Sequence, residues 1–384
     1  MRMTFGDGRN TGAVALLAAA AMMFTTEATM AQNTQHYLQT NLVSNQASLA
    51  PTRDANLVNP WGLARSSKGP WWVADNGTGL STLYDGTGKV IPLVVTIPSG
   101  NVSENPTGSP TGTVFNGDKT AFLLPNGKAA VFLFVTEDGT ISGWNGGTSS
   151  VVVVNRKMDA VYKGATIATR MVNGVSKSFL YAANFRSGKV DVYDSMFAPV
   201  ALYGREAGEE RDEEDNDRFT DEHLPRGYAP FNVQNLGGNI FVSFAKQDSA
   251  RHDEVDGTGL GYVDVFSPAG KLLQRMQHGA WFNAPWGMAI APSDFGAFSH
   301  DVLVGEFGSG QIAVFNPITG KFVGMLQDSK NMPITIDGLW ALAPGNGATA
   351  GPATSMYFTA GIDHEKNGLF GTLSAVENVQ GNDQ

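Results

Sequence analysis

NPWGLARS, residues 59–66, is the stretch on which the reading of this chain turns, because five variants of it follow. They are SPTGTVFN (109–116), VYKGATIA (161–168), APFNVQNL (229–236), NAPWGMAI (283–290) and IDGLWALA (336–343). Each opens an apolar strand, and each unit closes a later strand on an aromatic: Tyr84, Trp144, Tyr193, Phe266, Phe315 and Phe370. A period of about fifty residues with several short strands per unit is the signature of a β-propeller. The expectation is an all-β chain folded as one six-bladed β-propeller.

Blade one shows the unit most clearly. Trp61 to Arg65 reads as the inner strand, Trp71 to Ala74 as the second, Ser81 to Tyr84 as the third and Val90 to Ile97 as the outer strand. Asp75-Asn76-Gly77 and Asp85-Gly86-Thr87-Gly88 are turn formers that tolerate positive φ. The blades are expected near 59–99, 109–155, 160–203, 228–279, 283–328 and 336–377. The last unit lacks an outer strand after Leu373, and Tyr37 to Val43 has no place in blade one. That N-terminal strand is therefore expected to complete blade six and close the ring, removing the open sheet edges.

The 384 residues carry 26 Lys and Arg against 36 Asp and Glu, a net charge of −10. Nucleic acid needs a basic groove, so it is not an expected partner. Ten acids and three arginines between Arg205 and His223 contribute −7 of the −10. The stretch Glu206 to Glu222 reads as a solvated acidic loop, with a lid or cation collector as the functional alternative. There is no cysteine, which excludes disulfides, thiolate nucleophiles and zinc–thiolate sites. Arg2, Arg9, the apolar run Val14 to Phe24 and the small residue Ala31 read as a signal peptide over 1–31. The run is too short to span a bilayer. Residues 32–384 are then the mature propeller, exported to the periplasm or secreted, with no membrane insertion after cleavage.

In such a sheet the loops entering inner strands and those leaving second strands emerge on one face. Before the inner strands stand Asn59, Ser109, Tyr162, Tyr228, Asn283 and Asp337. After the second strands stand Asp75, Glu137, Asn184 with Arg186, Lys246, Glu306 and Asp363-His364. A channel mouth is a usual place for a ligand. Asn59, Asn184, Arg186, Tyr228, Asn283 and Asp337 are the candidates to bind one. Asp75, Glu137, Asn184 and Glu306 offer one oxygen each, the ligand type that calcium prefers. Read plainly, Asp and Asn there are ordinary turn formers, and Lys246 would neutralise the acids. If there is chemistry, Glu137, Glu306, Lys246 and His364 are the candidates for it. Trp61, Trp286 and Trp340 recur at inner-strand starts, as packing between blades or as stacking surface. Asp253 to Gly259 lacks the closing Glu of a calcium loop and reads as an acidic turn.

Seven segments in order carry a resemblance: NPWGL (59–63), YAPFNVQNLGG (228–238), FAKQD (244–248), NAPWG (283–287), DGLWAL (337–342), YFTAG (357–361) and GLFG (368–371). With them the chain resembles, over about residues 37–377, a family of uncharacterised exported bacterial propellers. That family is similar to six-bladed propellers of the NHL and gluconolactonase kind. The resemblance implies the fold and export, and through the wider kinship a divalent cation in the channel. The acidic insert departs from the family's shorter loop.

Two functions stay open. One is a binding module that holds a small molecule, glycan or protein on the channel-mouth face. The other is a hydrolase or lyase, lactonase-like, in which a calcium-like ion polarises a carbonyl or activates water.

Overall fold

The computed structural model of the chain describes residues 35–201 and 218–376. Residues 1–31, expected to be a signal segment, and most of the acidic stretch lie outside them. The described residues form six antiparallel sheets set around a common axis, the expected six-bladed β-propeller. The inner strands are Pro60–Arg65, Pro110–Phe115, Tyr162–Val172, Tyr228–Leu236, Pro285–Ile290 and Leu339–Pro344. The second strands of blades one, two, five and six, Trp71–Asp75, Phe132–Thr136, Val302–Glu306 and Met356–Ala360, are buried along their whole length. Both faces of those strands are covered by adjoining blades, so their near-continuous apolar runs need no polar alternation.

Closure is as the spare strand implied. His36–Ser44 runs antiparallel to Leu369–Val376, with Tyr37 opposite Ala375 and Val43 opposite Phe370. Tyr37 also donates its hydroxyl to the Phe295 carbonyl and its backbone N–H to that of Gln327, tying blade six to blade five. Blade three has three strands, and its outer edge carries an isolated bridge at Tyr193 and Pro199, in which Val200 donates to Val192 and Asp194 to Ala198. Blade four gains a two-residue strand, Glu254–Val255, folded back on Lys246 and Gln247. The described end of the acidic stretch is anchored rather than solvated: Phe219 is buried against Tyr181 and Phe266, and Asp221 forms a bidentate pair with Arg275.

The repeated opening motif has a steric cause. All six inner strands slip register against their second strands near the same place, at Pro60/Leu63, Pro110/Thr113, Tyr162/Gly164, Pro230/Asn232, Pro285/Met288 and Leu339/Leu342. A bulge re-aims the side chains beside it. Here adjoining inner strands nearly touch. A Cβ on Gly62 would run into the Thr111 carbonyl, and one on Gly287 into that of Trp340. Glycine at these points is a packing requirement.

The residues in the bulges are Trp61, Thr111, Lys163, Phe231, Trp286 and Trp340, one from each blade. The four aromatics form a single buried cluster. Trp61 stacks on Trp340 with centroids 3.5 Å apart, and Trp286 meets both edge-on at 5.9 and 5.7 Å. Such pairs contribute roughly 0.5–1.5 kcal/mol each beyond area burial. This collar separates the channel mouth from a lower cavity of about 250 Å³, lined by all six inner strands and including Thr113, Thr166 and Asn232.

Candidate functional site at the channel mouth

Asp75, Glu137, Asn184 and Glu306 do not converge, and the reason is one residue of register. Asp75 lies opposite Pro60, Asn184 opposite Tyr162 and Glu306 opposite Pro285. In blade two that place belongs to Thr136, opposite Pro110, and Glu137 is the next residue. Successive strand side chains face opposite ways, so Glu137 reaches the axis while the others turn into their own blades. There they brace turns. Asp75 accepts the Thr82 N–H (3.0 Å), Glu306 the Asn283 N–H (2.7 Å), and Asn184 the N–H groups of Val161 and Ser187. Thr136 does the same in blade two, accepting the Thr140 N–H. One oxygen each of Asp75 and Glu306 is buried without a partner. Burial above all drives both carboxyls well above the usual carboxylate range. Because the four side chains do not converge, they do not form one metal site.

What occupies the mouth instead is Lys163. Its side chain is 1% exposed, yet its Nζ donates to Glu137 Oε1 at 2.5 Å and to Asp253 Oδ1 at 3.1 Å. The ammonium also lies 5.1 Å from the Trp61 ring centre and 5.9 Å from that of Phe185. Burial, the largest influence, pulls its pKa down. Glu137, Glu254 and Asp253 together outweigh it, and the net shift is upward. The second Glu137 oxygen accepts from Asn76 (2.9 Å). Asn59 donates to Glu365 (2.8 Å) and accepts from the Trp340 indole (3.0 Å), which joins the charged layer to the collar.

Glu365 is held there by an unusual turn. Asp363, His364 and Glu365 all have left-handed backbones, with φ of 56°, 53° and 64°. Non-glycine residues in that region cost about 1 kcal/mol or more each, and such strain clusters at functional sites. The exposed Asp337 caps this turn by accepting the Asp363 N–H at 2.8 Å. His364 itself is exposed, as is Lys246, which pairs with Tyr228 and Val255 at the edge of blade four. Tyr228 packs edge-on against Tyr262, and Asn283 accepts the Gly257 N–H. Of the residues put forward from the sequence, Glu137 and Asn59 belong to the charged layer, and Arg186 to the groove beside it.

Lys163, Glu254, Asp253 and Glu365 were missed as a group. Lys163 had a signal: it stands immediately before the repeat's glycine, where blades one and five have Trp. Asp253 and Glu254, read as part of an acidic turn, stand just before and at the start of the folded-back strand of blade four. His252 Nδ1 lies 2.8 Å from Asp253 Oδ1.

Outside this layer, between blades two and three, lies a groove of about 830 Å³. Asn101, Ser109 and Asn155 contribute to its wall, together with Glu137, Arg186 and His252. The Arg186 Nε is buried and meets no partner. The groove is lined by polar and apolar residues, is of ligand size, and is continuous with the charged layer through Glu137 and His252.

Four carboxylates crowd one ammonium, and their titration has a sign. Burial foremost, opposed by Lys163, pushes Glu254 up to about 7. Glu365 is raised as well, and Asp264, in blade four, is pushed up to about 8 by burial beside Asp221. An acid with a raised folded pKa binds its proton more tightly in the native state. Its contribution to stability is full below the unfolded value and is lost as pH rises through the folded one. The protein is therefore expected to lose stability between about pH 4.5 and pH 7. Urea unfolding of Glu254→Gln across that window should show a shallower fall than the parent.

The divalent cation implied by the resemblance does not fit these residues. Calcium takes six to eight oxygens at about 2.3–2.6 Å. Among the described residues, the one set of three acid or His ligand atoms within 4.8 Å of one another is Glu137, His252 and Asp253. Two of those three already face the Lys163 ammonium.

No family model matches the chain. In solved structures it is similar to virginiamycin B lyase from Staphylococcus aureus, with 10% identity, coverage of 89% of this chain and 100% of that one, and a TM-score of 0.46. It is also similar to a gluconolactonase from Xanthomonas campestris, with 13% identity, coverage of 70% and 86%, and a TM-score of 0.39. Identities this low show the fold alone. Two uncharacterized proteins of Acanthamoeba polyphaga mimivirus align over 342 residues. One is 32% identical over 86% of this chain and 84% of its own length, the other 30% identical over 86% and 78%. The chain belongs to the family of these two viral proteins, and its six-bladed propeller carries a charged channel mouth built around Lys163.

Proposed function

We propose that the protein is a binding module that receives a small polar ligand in the groove between blades two and three. The observation that carries this reading is that groove's inner end: Glu137 and His252 belong at once to its wall and to the charged layer around Lys163. Buried polar groups without internal partners are specificity elements when a ligand satisfies them. The Arg186 Nε is such a group. A thermal-shift screen of small polar metabolites, with hits titrated calorimetrically, tests the reading. Arg186→Ala and His252→Ala should each weaken a true ligand by roughly tenfold or more, about 1.4 kcal/mol. Hits that keep their affinity in both variants, or a library without hits, contradict it.

The same proposal places the propeller outside the cytoplasm after removal of 1–31. N-terminal sequencing of the protein from its native host should begin at Gln32, and a start at Met1 would refute that part. An enzymatic reading has one observation in its favour, the Glu254 carboxyl near neutrality, where proton-transfer groups work best. Turnover by the parent but not by Glu254→Gln would establish it.

A further inference from the structure

We propose that the Lys163 ammonium is the fixed cation of this channel mouth, standing where Glu137, His252 and Asp253 would otherwise hold a divalent metal ion. This goes beyond the binding reading and does not depend on it. Four of the six collar positions are aromatic and one is Thr; the sixth, Lys163, places its charge at the axis end of blade three. Its partners come from both sides, Glu137 from blade two and Asp253 from the turn just before the folded-back strand of blade four. The strand that carries it is pinned by the Trp286 indole, which donates to the Lys163 carbonyl at 3.1 Å. The aromatic faces of Trp61 and Phe185 flank the ammonium and favour a cation there.

An ion entering this site would have to displace the ammonium from Glu137 and Asp253. The displaced charge would be left uncompensated against the apolar collar. A tethered ammonium also competes without loss of translational freedom, whereas an ion in solution must be captured. Remove the ammonium and the balance inverts. Glu137, His252 and Asp253 already place ligand atoms within 4.8 Å of one another.

Two measurements decide the matter. The first is metal content and melting of the mature protein in EDTA, calcium, manganese and zinc. The proposal expects substoichiometric metal and no shift in melting temperature. A stoichiometric ion that is lost in Glu137→Gln overturns it. The second is Lys163→Met, which keeps an unbranched apolar stem and removes the ammonium. This variant should melt lower than the parent in EDTA and recover on addition of at least one of the three cations. The recovery should disappear in Lys163→Met/Glu137→Gln. Should Lys163→Met fail to fold, its refolding yield with and without each cation is the readout. No response to any of the three cations, in melt or in yield, overturns the proposal.

Discussion

Replacing Lys163 by Met is expected to lower the stability of the protein by about 3–5 kcal/mol, the usual consequence of removing one partner from a buried ion pair. The side chain is 1% exposed, and its ammonium is shared by Glu137 and Asp253. The stem stays apolar in the variant, so packing against the collar is largely kept. The loss therefore reports charge. Glu137, at 14% side-chain exposure, is left with only Asn76 on its other oxygen. Asp253 is 63% exposed and can turn to water, so it contributes less to the loss. Urea unfolding of the two proteins at one pH checks this. Glu137→Gln should cost less, because the ammonium retains Asp253 and the nearby Glu254.

The second large effect concerns closure. A chain that begins after Ser44 is expected to lose cooperative unfolding, or to be recovered only as aggregate. His36–Ser44 supplies the fourth strand of blade six and pairs along the length of Leu369–Val376. Tyr37 and Val43 are 2% and 0% exposed, and burying each is worth roughly 1.5–3 kcal/mol. Deletion would also bare the backbone edge of Leu369–Val376, a template for pairing with another chain. Summed, these losses approach the 5–15 kcal/mol by which domains are stable at all. Calorimetry and size-exclusion chromatography of the shortened chain are the checks. A single sharp transition from a monomer would show that the ring holds without its closing strand.

The blades were legible because their causes are local. The glycine that lets inner strands approach, the turn residues after second strands and the missing outer strand of blade six all leave marks at fixed spacing. Blade three was harder, since its outer edge carries an isolated bridge rather than a strand, which no apolar run announces. The site was legible only in part. Assigning Glu137 to the same position as Asp75 and Glu306 was off by one residue, and in a strand one residue is the difference between axis and blade interior. Lys163 was passed over because the opening motif reads first as a packing element. Only the bulge shows that the residue before the glycine faces the axis. Glu254 and Asp253 depend on a two-residue strand folded back over the mouth, a pairing too short to leave a pattern.

The account rests on Lys163 and Glu137 acting as one compensated unit at the mouth of the channel. A double-mutant cycle tests this most directly, with equilibrium urea unfolding of the parent, Lys163→Met, Glu137→Gln and the variant carrying both. The predicted result is a coupling of about 1–3 kcal/mol, with the double variant more stable than the sum of the single losses implies. Losses that add to within about 0.5 kcal/mol would show two independent residues and contradict the account.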